Sequence, residues 1–120
     1  MNIKAKWVSA LAGFALGILL FAASCAPTMI LYSVTGSAPS ASVVYRNASG
    51  GTSQVAGVKL PWFYRMKWTW DCGECFLSII AQNESDHGTV TVNIWANATL
   101  LKTSTSEGAY VSAAADVTWP

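Results

Sequence analysis

The chain has 120 residues, is 52% hydrophobic and only 11% charged, and carries a formal net charge of +1. One small domain fills that length, which excludes a multidomain enzyme, and a single apolar segment excludes a polytopic transporter. Near neutrality removes any electrostatic case for nucleic-acid binding.

The apolar content is unevenly spread. Lys4 and Lys6 are the only charges among the first 24 residues, and Trp7 to Ala23 is apolar or small throughout. A basic start, an apolar run and small residues at a cleavage point are the parts of an export signal. Residues 1–24 therefore read as a signal peptide or membrane anchor, a hydrophobic helix, and residues 25–120 as one exported domain facing the periplasm or the exterior. Phe21-Ala22-Ala23-Ser24-Cys25 resembles the bacterial lipobox, with Ala22 where leucine is usual. Three fates stay open. Cys25 is lipidated, or the segment persists as an uncleaved anchor because the apolar run resumes at Met29-Ile30-Leu31, or the domain is cleaved and released. The first two tether it to a membrane. About half of the remaining chain is apolar, ordinary for a soluble domain. Its five basic and six acidic residues leave a net charge of −1.

After Pro27 no helical periodicity persists. Short runs rich in Val, Ile, Thr, Tyr and Trp recur about every ten residues, separated by turn clusters. Strands are expected near 29–35, 42–46, 54–60, 62–70, 75–82, 89–95, 99–104 and 109–118. Pro61 cannot donate to a ladder and should mark a bend or a change of sheet. Trp62, Tyr64, Met66, Trp68 and Trp70 alternate with Phe63, Arg65, Lys67, Thr69 and Asp71, giving one aromatic and one mostly charged face. Val90, Val92 and Ile94 against Thr91 and Asn93 repeat the pattern. One-sided strands pair antiparallel and pack face to face. Seven to eight of them predict an all-β protein, an immunoglobulin-like antiparallel β-sandwich.

A family resemblance rests on Tyr32-Ser33-Val34-Thr35-Gly36, Asn47-Ala48-Ser49-Gly50-Gly51-Thr52, Leu60-Pro61-Trp62, Ile80-Ala81-Gln82-Asn83, Gly88-Thr89-Val90-Thr91-Val92 and Ser106-Glu107-Gly108-Ala109-Tyr110-Val111. In that order these segments resemble the small bacterial envelope proteins of the MmpS-like type. The resemblance implies an N-terminal anchor, an immunoglobulin-like β domain and an accessory role beside a membrane transporter of the MmpL class. The Trp-rich 62–70 run, the Cys72-Gly73-Glu74-Cys75 turn and the lipobox-like site depart from that pattern.

Few residues invite chemistry. Cys72 and Cys75 could form a redox dithiol, half a zinc site or a structural bridge. Zinc needs four ligands, and the chain has a single histidine, His87, and no second cysteine pair. The acidic neighbours Asp71 and Glu74 should raise a thiol pKa, against the needs of a redox catalyst. In an exported domain a disulfide clamping the turn is the leading reading. The aromatic stripe should mostly fill the core. From Trp62 to Trp70 it runs about 27 Å at the usual strand rise, long enough for one end to reach the rim. Trp62, Trp68 and Trp70 are thus the candidate binding residues. Glu84, Asp86 and His87 share one polar turn and read as solvated; Arg65 and Lys67 read as a solvated face, or as a site for acidic lipid headgroups. Asn47, Asn83 and Asn97 begin glycosylation sequons, which chance explains in a bacterial chain. No catalytic residue, metal site or cofactor is expected. The expectation is an exported, membrane-tethered, non-catalytic binding or accessory protein of the cell envelope that contacts the membrane and another envelope protein. A carbohydrate-binding module using exposed tryptophans and a thiol–disulfide protein at Cys72 and Cys75 are the alternatives.

Overall fold

The computed structural model describes residues 28–68 and 75–119, with side chains for 28–68 and 76–118. Residues 1–27 lie outside it, and with them the expected anchor helix and Cys25; so do Trp70 and Cys72, and the side chain of Cys75. The described residues form eight strands: β1 (Thr28–Thr35), β2 (Ala41–Arg46), β3 (Thr52–Val58), β4 (Trp62–Trp68), β5 (Cys75–Asn83), β6 (Thr89–Ala96), β7 (Thr99–Glu107) and β8 (Ser112–Trp119). Among the described residues no helix is long and apolar enough to cross a membrane. All eight expected runs are strands, and their ends shift where a ladder partner extends them. Thus β7 continues to Glu107 because Glu107 pairs with Thr89.

The strands divide into two four-stranded antiparallel sheets. Sheet I has the order β4-β1-β6-β7 and sheet II the order β3-β2-β5-β8. Each alternating strand turns its apolar residues toward the other sheet. Ile30, Tyr32, Val34, Val90, Val92 and Ile94 from sheet I meet Val43, Leu77, Ile79 and Ala81 from sheet II, all fully buried. The chain changes sheet between β3 and β4, where Leu60–Pro61 is a cis peptide, as the proline's missing N–H led one to expect. A constant-type immunoglobulin sandwich divides seven strands four and three; here the division is four and four.

Tyr32 ties the sheets together. On central strand β1 it is fully buried, and its hydroxyl donates to the Arg46 carbonyl oxygen at 2.9 Å. The Tyr32 hydroxyl oxygen in turn accepts from the Ser78 backbone N–H at 3.4 Å. A sheet I side chain is thereby bonded to both central strands of sheet II.

The register defines two poles. Thr28, the turn between β2 and β3, the end of β4 at Trp68, the start of β5 and the β6–β7 turn share one, where the chain enters from its N-terminal segment. Gly36 to Ser40, Lys59 to Pro61, Glu84 to Gly88 and Glu107 to Val111 occupy the far pole. Two glycines let backbones meet there. A Cβ on Gly36 would sit 2.1 Å from the Thr89 carbonyl oxygen, and one on Gly88 would sit 2.8 Å from Ala38 backbone atoms. Ala38 N–H bonds Thr89 O at 3.1 Å across this approach.

Two bulges reshape the edges. Ala41 pairs Val58 and Val43 pairs Val55, so Ser42 faces both Ala56 and Gly57 on edge strand β3. On β7, Ile94 pairs Lys102 while Trp95 pairs Leu100, leaving Leu101 as the inserted residue. Leu101 consequently packs on the core while Leu100 projects beside Trp95 on the outer face.

Gly36→Ala is expected to cost about 2 kcal/mol or more, since positive φ and a backbone clash add. Gly57→Ala, at φ 65 with open space around it, should cost about 1 kcal/mol. Urea unfolding of both variants checks the order; equal losses would refute the close-approach account. Tyr32→Phe removes both part-buried hydrogen bonds of the hydroxyl and should lower stability by about 1–2 kcal/mol in the same assay.

Candidate functional site

Strand β4 is an edge of sheet I, paired only with β1. Its aromatic face turns inward. The Trp62 and Tyr64 rings stack at 6.5 Å and 11°, Tyr45 closes on Tyr64 at 4.5 Å and on Trp62 at 5.3 Å, and Tyr64 stacks on Tyr32 at 6.1 Å. Trp62 and Trp68 are half-buried and pack against the core, each keeping a rim at the surface. The Trp62 ring face that a sugar would need is engaged by Tyr45 and Tyr64. Of the three candidate tryptophans, the sheet places Trp62 at the far pole and Trp68 at the entry pole, and so does not bring them together. Trp70 lies outside the described residues.

The outer face of sheet I carries a feature that alternation reasoning missed. Met29 and Leu31 on β1, Trp95 on β6 and Leu100 on β7 all point away from the core, with Arg65 and Lys67 beside them on β4. Met29, Ile30, Leu31, Arg65, Trp95 and Ala98 line an open groove of about 470 Å³ at the entry pole. Met29 is 40% exposed, Leu100 44% and Phe63 58%. Toward the far pole the same face becomes polar on its central strands, with Phe63 of edge strand β4 opposite Ser33. There Ser33 bonds Asn93 at 3.0 Å and Thr91 bonds Thr105 at 2.8 Å, so hydroxyls and amide satisfy one another. The groove's rim is the tight turn between β6 and β7, where Asn97 and Ala98 both have positive φ, 47° and 66°, as a type I′ hairpin demands. Asn97 clamps this turn to β1: its N–H bonds Met29 O at 2.9 Å and its side-chain oxygen accepts from Met29 N–H at 3.0 Å. The available signal was in β1, where Met29, Ile30, Leu31 and Tyr32 are apolar in succession and so apolar on both faces.

Other polar candidates are turn braces. Buried Asn83 donates to the His87 and Gly108 carbonyl oxygens at 2.8 and 3.0 Å and accepts from Ser85 N–H at 2.8 Å. Glu84 accepts from Gly57 N–H at 2.8 Å, fastening this turn to the β3 bulge. Asn47 accepts from the N–H groups of Ser49 and Gly51 and donates to Ser53 at 2.7 Å, so its amide closes the β2–β3 turn. His87 and Asp86 form an exposed pair at 2.7 Å, the only ion pair among the described residues. Their hydrogen bond, aided by charge attraction, holds the Asp86 carboxyl below the ordinary 3.8. Among the described residues no three metal-ligating side chains cluster.

With this geometry in place, a comparison with family models identifies the relatives. The model of the Mycobacterium membrane protein family matches residues 21–116. The chain belongs to this family, the MmpS family. No curated protein matches it. The MmpS match begins at Phe21, inside the apolar N-terminal segment, and ends at Asp116 in β8, so it covers both the end of that segment and nearly the whole sandwich. The MmpS-like segments noted in the sequence are where the fold is pinned: Tyr32 bridges the sheets, Gly36 meets Thr89, Asn47 closes a turn, Pro61 carries the chain between sheets, and Asn83 braces the far pole.

The Asp86–His87 pair has a definite pH signature. A folded carboxyl value below the unfolded one contributes stability that is present above 3.8 and lost as pH falls through the lowered value. In an NMR titration Asp86 should show its midpoint below 3.8, and His87→Ala should move it back up. An unchanged midpoint in the variant would remove histidine as the cause.

Proposed function

We propose that this MmpS-family protein is an exported, membrane-tethered, non-catalytic accessory module of the mycobacterial envelope, acting by contact with another envelope protein such as an MmpL-class transporter. The observation that carries the reading is the single apolar segment that ends a few residues before β1, inside a chain whose family is one of mycobacterial membrane proteins. Tethering follows from that segment whether Cys25 is acylated or the segment stays as an anchor. An immunoglobulin-like description of the domain is supported by its two packed antiparallel sheets. A binding role is supported by where polar chemistry is spent: Asn47, Asn83 and Glu84 brace turns, and Asp86 pairs with an exposed neighbour. A disulfide between Cys72 and Cys75 would clamp the connection from β4 to β5.

Crosslinking the native-length chain in intact mycobacterial cells, followed by mass spectrometry, tests this. The expected result is a membrane-fraction protein crosslinked to an integral membrane transporter, with residue 25 either acylated or internal to an uncleaved chain. A mature chain beginning after Cys25 and free in the medium would overturn the tethering. Recovery of the anchored chain with no protein crosslinks would overturn the accessory role.

A further inference from the structure

We propose that the entry-pole half of the outer face of sheet I lies on the surface of an anionic phospholipid bilayer, with Met29, Leu31, Trp95 and Leu100 at the apolar boundary and Arg65 and Lys67 on the lipid phosphates. The inference rests on the tethering proposed above and assigns the face that the tether presents to the membrane.

Reach comes first. Met29 in the groove lies six residues along the chain from Ala23, the end of the apolar run. A fully extended chain gains at most about 3.5 Å per residue, so the groove stays within roughly 20 Å of the bilayer. If Cys25 carries lipid, the distance is shorter still. Composition comes second. This half of the face combines aliphatic side chains, one tryptophan and two cations, the set that settles at a membrane interface. Lys and Arg can lay their stems along apolar surface while their charged heads reach phosphate. Charge is the third point. Neither Arg65 nor Lys67 has an ion-pair partner among the described residues. Among the described residues of this face the acidic one is Glu107, opposite Thr89 at the far pole, away from the groove. Lastly, the face changes character along its length. The entry half gathers Met29, Leu31, Trp95 and Leu100, while in the far half, apart from Phe63 on the edge strand, Ser33 bonds Asn93 and Thr91 bonds Thr105. A face that served only as solvated exterior has no need of such a gradient.

The test uses the full chain reconstituted into vesicles of phosphatidylcholine, with or without phosphatidylglycerol. A membrane-impermeant acetylating reagent is applied, and modification of Lys67 is compared by mass spectrometry with that of Lys59, exposed at the far pole of the same molecule. Each cation near an anionic surface raises its occupancy roughly fivefold. Lys67 should therefore be modified several-fold more slowly than Lys59 in anionic vesicles, with the difference lost in neutral ones and in high salt. Arg65→Glu, on an exposed position, should bring the Lys67 rate back toward that of Lys59. Chains that float with the vesicles yet show equal rates at the two lysines would overturn this inference and leave the tether standing. Chains that fail to float would overturn the tether and this inference with it. Slowing of Lys67 that is the same in neutral vesicles would assign the groove to a second copy or to the chain's own N-terminal segment, and would also overturn it.

Discussion

The Tyr32 hydroxyl is the point on which the two sheets agree. It leaves β1 of one sheet, on a fully buried side chain, and meets the Arg46 carbonyl and the Ser78 amide of the other. An aromatic side chain supplies apolar area and a polar tip, and burial of that tip is favourable only with its bonds made. Sliding either sheet by one residue would break those bonds and turn the alternating side chains the wrong way. The aromatic packing of Tyr45, Trp62 and Tyr64 builds outward from this anchor.

The poles then take different work. At the far pole, Gly36, Gly88 and Asn83 lock loops against each other through close backbone approach and buried amide bonds. That arrangement is rigid and uses polar groups on itself. At the entry pole the Asn97 turn holds the start of β1, and the β7 bulge sets Leu100 outward beside Trp95. Apolar surface is exposed at the end of the domain nearest the N-terminal segment. The two ends of the domain thus differ in chemistry, and in the proposed tethered module the apolar end is the one near the membrane.

Reading the sequence located every strand, because one-sided burial prints a period of two on β4, β5 and β6. It also anticipated the sheet change at Pro61, because a missing N–H is a local property. The aromatic stripe was recognised, but its role was open, since alternation says which residues share a face and not what covers them. The structure covers Trp62 with Tyr64 and Tyr45, residues contributed by β4 itself and by a strand of the other sheet. The groove went unseen because its lining comes from β1, β4, β6 and the following turn, which are neighbours only in space.

The sequence by itself determined the all-β class, the strand positions and the membership suggested by its turn segments. These depend on local composition, local dihedral preference and period. Tertiary structure alone decided the four-and-four division of strands, the Tyr32 bridge and the poles. It also decided the gathering of Met29, Leu31, Arg65, Trp95 and Leu100 on one surface. Those features are set by register across ladders, and by a bulge that re-aims two leucines, so they follow from pairings between residues far apart in the chain.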